Sequence, residues 1–227
     1  IFVSAYRKGS MRVRWSNELP DSHPLPVDMS IVSPYLGAGD PAVNRVAPHL
    51  HGGLVPWTSD GGPFSWFSPG GAVKGPSVVN WLPDVSGVDT DDYWYPNNQS
   101  ARMMWYHDHA VGITRLNAYA GLASGYLLGD AIEDQLMSQL GIPAERQVPL
   151  VVQDKVFNAN GSLWYPSTYE TQFFALSPSG QALPTPSLVP EFWGDTMLVN
   201  GTAFPFLPVK RGVYRFRVLN ACNTRVL

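Results

Sequence analysis

Short segments with alternating apolar and polar residues, separated by frequent glycine and proline, dominate the chain. Residues 11–15 (MRVRW) and 214–218 (YRFRV) place apolar and cationic side chains on opposite faces of an extended backbone. Residues 102–107 form a more continuous apolar run, which is typical of a buried strand, and residues 122–128 indicate the next strand. The pattern predicts an all-β protein organised as a β-sandwich.

One helix is predicted, over residues 131–140. Asp130 and Glu133 have the spacing of a capping box, with Asp in place of the usual Ser or Thr. Apolar residues follow at i, i+4 and i+8, namely Ile132, Leu136 and Leu140. Strand-like sequence resumes at residue 148, so the helix is interpreted as a linker.

These signals divide the chain into three parts. We expect a first β domain over residues 1–130 that lacks its N-terminal start, a helical linker over 131–147, and the N-terminal part of a second, truncated β domain over 148–227. About 80 residues are few for a complete β-sandwich, because its edge strands would lack partners. The chain is therefore expected to be a fragment of a longer protein.

Composition excludes several classes of partner. The chain has 227 residues, a hydrophobic fraction of 44% and a formal net charge of −3. Without a basic run it offers no electrostatic surface for a nucleic acid. No apolar stretch of about 18 residues is present, so no membrane span is predicted. The sequence does not identify the compartment, although an extracytoplasmic or secreted location is favoured.

The strongest chemical signal is a pair of His-x-His motifs. His49 and His51 form one, His107 and His109 the other, and together they hold four of the five histidines. Random placement would give roughly 0.1 such pairs. In a strand, residues i and i+2 point the same way with Cβ atoms roughly 7 Å apart, so two adjacent strands would present four imidazoles to one pocket. This predicts a metal cluster.

The residues around these motifs resemble a known family. Residues 49–53 (HLHGG), 105–110 (WYHDHA) and 114–121 (TRLNAYAG) are similar to the first two copper-binding motifs of multicopper oxidases, in the branch with spore-coat laccases, bilirubin oxidases and phenoxazinone synthases. Residues 17–20 and 214–221 extend the resemblance over nearly the whole chain. It implies a cupredoxin-like Greek-key β-sandwich followed by the start of a second cupredoxin-like domain.

The resemblance also implies a set of copper ligands. His49 would bind the type 2 copper, and His51, His107 and His109 the type 3 pair, which together make up half of a trinuclear cluster. The two later motifs of the family, one of them His-Cys-His, do not occur here, and Cys222 has no neighbouring histidine. The type 1 copper is therefore expected from the missing C-terminal part, and the fragment alone is expected to be inactive.

Asp60, Asp108 and His23 are the other polar residues near the motifs or among the histidines that bear on the site. Asp60 follows the first motif in Ser-Asp-Gly, and the resemblance implies that it delivers protons to reduced oxygen, although the same residues also suit a turn. Asp108 lies between two strand histidines and should point to the opposite face, as a structural carboxylate. His23 is interpreted as a loop residue without a role, and the tryptophans as core residues.

The predicted function is a laccase-like oxidase. It would couple one-electron oxidation of phenols, pigments, aminophenols or metal ions to the four-electron reduction of dioxygen to water. Its partners would be dioxygen, a small reducing substrate and the remainder of the same polypeptide.

Three other functions are alternatives to an oxidase. A dinuclear metal hydrolase would continue its H-x-H motif with Asp-His, and a cupin dioxygenase would have a glutamate shortly after it; neither residue pattern follows the pairs here. A non-catalytic cupredoxin-fold scaffold stays open, because retained histidines in this half say nothing about the other half. Copper in the intact protein would favour the oxidase, and zinc the hydrolase.

Overall fold

The computed structural model describes residues 2–27, 43–78, 92–165 and 191–227, and within them the chain is mainly β-structure. Eleven strands form within these four ranges: β1 (Val3–Tyr6), β2 (Met11–Arg14), β3 (Pro48–His51), β4 (Asp92–Tyr95), β5 (Arg102–Asp108), β6 (Ala123–Gly129), β7 (Gln147–Phe157), β8 (Leu163–Trp164), β9 (Thr196–Val199), β10 (Thr202–Ala203) and β11 (Arg215–Asn220). Two α-helices accompany them: α1 (Thr114–Ala120) and α2 (Ala131–Gln139). The predicted all-β class is confirmed.

Two sheets organise these strands. The first has the order β1-β6-β5-β3, with β1 parallel to β6 and the other pairs antiparallel. The second has the order β10-β9-β7-β11, with β8 also paired to β7, and β7 parallel to β11. A separate pair, β2 and β4, is antiparallel. Pairing between strands far apart in sequence therefore dominates the fold.

The strands of the first sheet alternate between a core face and an outer face. Leu50, Met104 and Tyr126 point to one side, where they pack with Tyr93 and Tyr95 of the β2–β4 pair. Because side chains alternate along a strand, the residues on either side of Leu50 point the other way. This core fixes which face of β3 and β5 carries the histidines.

A second hydrophobic cluster joins the two halves of the described chain. Leu116 and Tyr119 of α1 pack against Tyr165 and Phe192, which belong to the second half. The Tyr119 hydroxyl accepts a hydrogen bond from the N–H of Val156 at 2.8 Å and donates one to the carbonyl of Trp164 at 2.7 Å. The Lys155 ammonium also donates to the carbonyl of Tyr119. Helix α1 therefore anchors the second sheet.

Helix α2 begins as predicted. The Asp130 carboxylate accepts a hydrogen bond from the N–H of Glu133 at 2.9 Å and caps the first turn. Its apolar stripe faces outward, however, with Ile132 70% exposed and Leu136 48% exposed. No helix within the described parts of the chain combines the length and apolar character needed to cross a membrane.

The sequence pattern of β11 predicted two faces but not which face is buried. The alternation of arginine with apolar residues is present, but the arginines are the more buried set, because Arg215 and Arg217 both contact the Glu133 carboxylate, at 2.7 and 2.9 Å. Phe216 and Val218 point to the exposed side. Helix α1 was not predicted as a helix at all.

Candidate metal centre

The first histidine pair lies on β3 and the second begins on β5, and these strands are direct neighbours. In their antiparallel register His49 is opposite His107, and His51 is opposite Trp105. Side chains directly opposite one another in such a pair lie on the same face of the sheet. The register therefore brings histidines from both motifs together on the face away from the Leu50 core.

Three of the four predicted ligands converge. Ring nitrogens of His49, His51 and His107 all lie within 4.8 Å of one another. The closest pair is His51 Nδ1 and His107 Nε2, which are 3.2 Å apart. The ring centroids of His49 lie 5.6 Å from His51 and 5.4 Å from His107. The spacing is close enough for the imidazoles to share a metal ion.

His109 lies beside this group rather than within it. It follows the last residue of β5, and its ring centroid is 4.9 Å from that of His49 and 5.7 Å from that of His107. Its backbone N–H donates to the carbonyl of Ala47 at 2.8 Å. Its Nδ1 is buried and has no hydrogen-bond partner among the described residues. A buried imidazole nitrogen without a partner is a candidate metal ligand.

Two of the imidazoles are oriented by backbone carbonyls. His49 Nδ1 lies 2.6 Å from the carbonyl oxygen of Asp60, and His107 Nδ1 lies 2.6 Å from that of Asp108. A ring that donates from Nδ1 keeps Nε2 as a lone-pair donor. Such contacts are the usual means by which proteins fix the tautomer of a metal-binding histidine.

Gly61 places the Asp60 carbonyl beside His49. Its backbone has φ +68°, and a Cβ added there would lie 1.8 Å from the carbonyl oxygen of Pro48. Only glycine fits this left-handed position with so close an approach of two backbones. The loop after the first motif is thereby held against β3.

Burial keeps the second histidine pair neutral. It lowers the pKa of His107 to about 4, and it also lowers the pKa of His109. In both cases desolvation of the charged ring is the largest cause, followed for His109 by repulsion from His49. At neutral pH these imidazoles carry the free lone pairs that metal binding needs.

Asp108 points to the core face, as its position between two histidines predicts. Its carboxylate accepts hydrogen bonds from the N–H of Ala47 at 2.8 Å and of Ala110 at 3.2 Å. Burial raises its pKa to about 6, against the opposing effect of these bonds and of nearby Arg45. Asp108 connects the backbone before β3 to the backbone after β5 and so braces both motifs.

The Asp60 side chain lies at the edge of the group. Its Oδ1 is 3.5 Å from His49 Nδ1, and the side chain is 49% exposed. Its carboxylate therefore contacts both solvent and the histidine group. A carboxylate in such a place can exchange protons with water.

Trp105 is a member of the site that sequence reasoning assigned to the core. Its ring stacks on His107 with centroids 4.1 Å apart and on His51 with centroids 5.1 Å apart. The available signal was its position two residues before His107, which places both side chains on one face of β5.

The remaining histidine and the cysteine contribute nothing to this group. His23 Nε2 lies 3.1 Å from Asn117 Oδ1, and its Nδ1 accepts from the N–H of Leu25 at 3.0 Å, so this histidine, interpreted from the sequence as a loop residue without a role, makes local contacts away from the histidine group. Cys222 is partly buried, with Sγ 3.7 Å from the carbonyl oxygen of Val152.

Known proteins with similar sequences are named laccase or multicopper oxidase. The chain is 42% identical over 224 residues to a laccase of Bacillus stratosphericus, covering 98% of this chain and 40% of the relative. It is 39% identical over 228 residues to Multicopper oxidase LPR1 homolog 1 of Oryza sativa, covering 98% of this chain and 34% of the relative. The chain thus spans less than half the length of these relatives. No protein-family model matches it.

A solved structure supports the fold. The 2F4 variant of the McoA multicopper oxidase from Aquifex aeolicus superposes with a TM-score of 0.62 and 27% identity, covering 99% of this chain and 36% of that one. The cupredoxin-like architecture predicted from the sequence is thereby confirmed. With its relatives matched along nearly its whole length, the chain belongs to the multicopper oxidase family.

Proposed function

We propose that this chain supplies half of a trinuclear copper site in a laccase-like multicopper oxidase, of which it is the N-terminal portion. The observation that carries the proposal is the convergence of His49, His51 and His107 within 4.8 Å on one face of β3 and β5. Bound copper would supply the one-electron chemistry by which dioxygen is reduced to water.

The donor set fits copper. All the converging atoms are imidazole nitrogens, which are suitable ligands for copper, and no carboxylate belongs to the three-residue group among the described residues. His49 is assigned to the type 2 copper, and His51, His107 and His109 to the type 3 pair. The unpartnered, buried Nδ1 of His109 supports its inclusion as a fourth ligand.

The residues of this chain orient the ligands and supply protons. The Asp60 and Asp108 carbonyls hold the rings of His49 and His107 through Nδ1, so that Nε2 is the nitrogen with the lone pair. The Asp60 carboxylate, half exposed and 3.5 Å from His49 Nδ1, is assigned as the group that takes protons from solvent and passes them towards reduced oxygen. Four protons are consumed for each dioxygen that becomes two waters.

The rest of the polypeptide would complete the enzyme. It would supply the other half of the cluster and the type 1 copper, where a small reducing substrate delivers its electrons one at a time. Phenols, bilirubin-like pigments, aminophenols and low-valent metal ions are the proposed substrate classes. Dioxygen is the proposed acceptor.

The test uses the intact protein and three readouts: copper per polypeptide, the absorption of the oxidised type 3 pair, and oxygen consumption with a phenolic donor. His107→Ala should lower all three, because it removes a ligand of the type 3 pair. His23→Asn is the matched histidine control and should change none of them.

Three results would contradict the proposal. His107→Ala with unchanged type 3 absorption and oxygen consumption would overturn the ligand assignment. Zinc in place of copper, together with hydrolytic activity, would favour a dinuclear hydrolase, and bound copper without oxygen consumption would favour a scaffold.

A second variant isolates the proton step. Asp60→Asn keeps the backbone carbonyl that orients His49 but removes the titratable group. Oxygen consumption should fall by about a hundredfold, the lower end of the effect of a positioned acid or base, while copper content stays at the parent level. Unchanged oxygen consumption would remove Asp60 from the proposal.

A further inference from the structure

Trp105 shares a face of the first sheet with the converging histidines. It is directly opposite His51 in the β3–β5 register and lies two residues before His107 on its own strand. All three rings therefore project from the same side of the sheet. The indole is adjacent to one histidine from each motif.

The Trp105 ring lies more nearly parallel to its two histidine neighbours than the histidine rings lie to one another. The interplanar angle is 25° to His107 and 28° to His51. Contacts between the histidine rings have angles from 34° to 76°. Near-parallel stacking at these centroid distances covers one face of each imidazole and leaves its nitrogen-bearing edge open.

The two histidines differ in what else orients them. His107 Nδ1 contacts the carbonyl of Asp108, and the residue is buried. His51 is exposed, and within the described parts of the chain its ring nitrogens contact only His107 Nε2. No backbone carbonyl described here holds the His51 ring. Apart from the neighbouring histidine rings, its stack with Trp105 is therefore the ring contact that restrains its rotation.

The indole is itself backed by apolar packing. On its other side Trp105 is opposite Gly125 of β6. A Cβ added at Gly125 would lie 2.6 Å from Cε1 of Phe2 and 3.0 Å from Cε of Met103. These two side chains fill the space over the glycine, so this part of the face beside Trp105 is apolar.

We propose that Trp105 is a positioning residue, whose stacked indole fixes the ring planes of His51 and His107 so that their nitrogens converge on copper. The inference rests on the proposed function and deepens it. A ring held by stacking loses little freedom when it binds a metal, and the indole also keeps water from one face of each imidazole. The effect should be larger for His51, which has no carbonyl contact.

The experiment uses the intact, copper-loaded protein and compares Trp105→Leu, Trp105→Phe and Trp94→Leu. Copper retention is measured by competition with a chelator, and the type 3 pair by its absorption. Trp105→Leu should weaken copper retention by about tenfold to a hundredfold, the usual effect of removing a group that orients a metal ligand. Trp105→Phe should restore most of it, because a phenyl ring can still stack.

Trp94 provides the control, since it is 40% exposed on β4 and lies outside the histidine group. Trp94→Leu should retain copper as the parent does. Circular dichroism and the urea midpoint report whether each variant folds. If Trp105→Leu does not fold, Trp105→Met takes its place.

Equal copper retention and absorption in Trp105→Leu and the parent would overturn the inference, as would a phenylalanine variant as defective as the leucine one. Both results would leave the proposed function intact. A parent protein that holds no copper would instead overturn the proposed function and this inference together.

Discussion

The Asp108 carboxylate accepts a hydrogen bond from the N–H of Ala47 at 2.8 Å and thereby connects the two strands that carry the histidine pairs. Its other oxygen accepts from the N–H of Ala110 at 3.2 Å. Ala47, just before β3, and Ala110, just after the second motif, are thus held by one buried side chain. The alignment of the two motifs depends on this link as well as on the ladder between β3 and β5.

Asp108→Asn tests that link. An amide can accept only through one of its two terminal atoms, so its NH₂ group would face the N–H of Ala47 or Ala110. We expect the free energy of unfolding to fall by about 1–3 kcal/mol, the cost of leaving a buried polar group unpaired. Urea denaturation measures it. Asp195→Asn, at an exposed position, is the control, and equal losses in the two variants would contradict the role given to Asp108.

Gly61→Ala tests the loop that orients His49. The added Cβ would lie 1.8 Å from the carbonyl oxygen of Pro48, so the backbone must move and withdraw the Asp60 carbonyl from His49. We expect a loss of stability of at least about 2 kcal/mol, above the roughly 1 kcal/mol expected for the left-handed backbone alone. Thermal unfolding and copper content of the intact protein are the measurements.

Gly70→Ala is the matched control for Gly61. Gly70 has a similar φ of +65°, but a Cβ there would meet no atom within 4 Å. Alanine at this position therefore has the cost of a left-handed backbone but no steric clash. If both variants lose the same stability and both keep copper, the close approach at Gly61 has no special importance.

Tyr119→Phe tests the connection between α1 and the second sheet. Removing the hydroxyl leaves the N–H of Val156 and the carbonyl of Trp164 without their bonds to the Tyr119 hydroxyl. We expect a loss of about 1–3 kcal/mol in unfolding free energy, together with faster proteolysis of the second half. Tyr6→Phe removes an exposed hydrogen bond to Asp134 and should cost less than Tyr119→Phe, because water can replace that bond. Similar losses in the two variants would refute the connection.

Asp92 should make stability depend on acid pH. Hydrogen bonds from the Arg14 and Arg12 guanidinium groups lower its pKa to about 2, against the opposing effect of burial. The folded state therefore binds this proton less readily than the unfolded chain. The resulting stability is complete above pH 4 and is lost as pH falls towards 2.

The size of this effect is limited by solvent. The Arg12 and Arg14 side chains are 38% and 57% exposed, so screening keeps the contribution below about 2 kcal/mol. Urea midpoints of the parent and Asp92→Asn should converge as pH falls to about 2 and separate above pH 4. Midpoints that differ by the same amount at every pH would exclude the ion pair as the cause.

The histidine arrangement could be predicted from sequence only as far as strand periodicity reaches. Spacing i, i+2 places His49 and His51 on one face, and resemblance suggested that both pairs meet. The sequence did not indicate that β5 ends at Asp108, so that His109 lies beyond the strand and outside the group of three. Nor did it reveal Trp105, because side-chain pairing across strands depends on register.

Helix α1 escaped prediction because local signals for it are weak. It spans seven residues, and its N-cap, Ile113, makes no side-chain capping bond. Packing of Leu116 and Tyr119 in the second hydrophobic cluster stabilises it instead. Such tertiary support has no local sequence pattern.

The orientation of β11 could not be read from alternation alone. A pattern of period two separates two faces but does not say which one is buried. The Glu133 carboxylate on α2 attracts Arg215 and Arg217 inward, and this partner is about 80 residues away in sequence. Long-range charge pairing decided the outcome.

The exposed face of β11 also affects the solubility of the purified polypeptide. Phe216 is 46% and Val218 55% exposed, on a strand at one end of the second sheet's described order. An edge strand with exposed apolar side chains can pair with the same strand of a second copy. Concentrated samples of these 227 residues are therefore expected to precipitate unless a solubilising additive shields that strand.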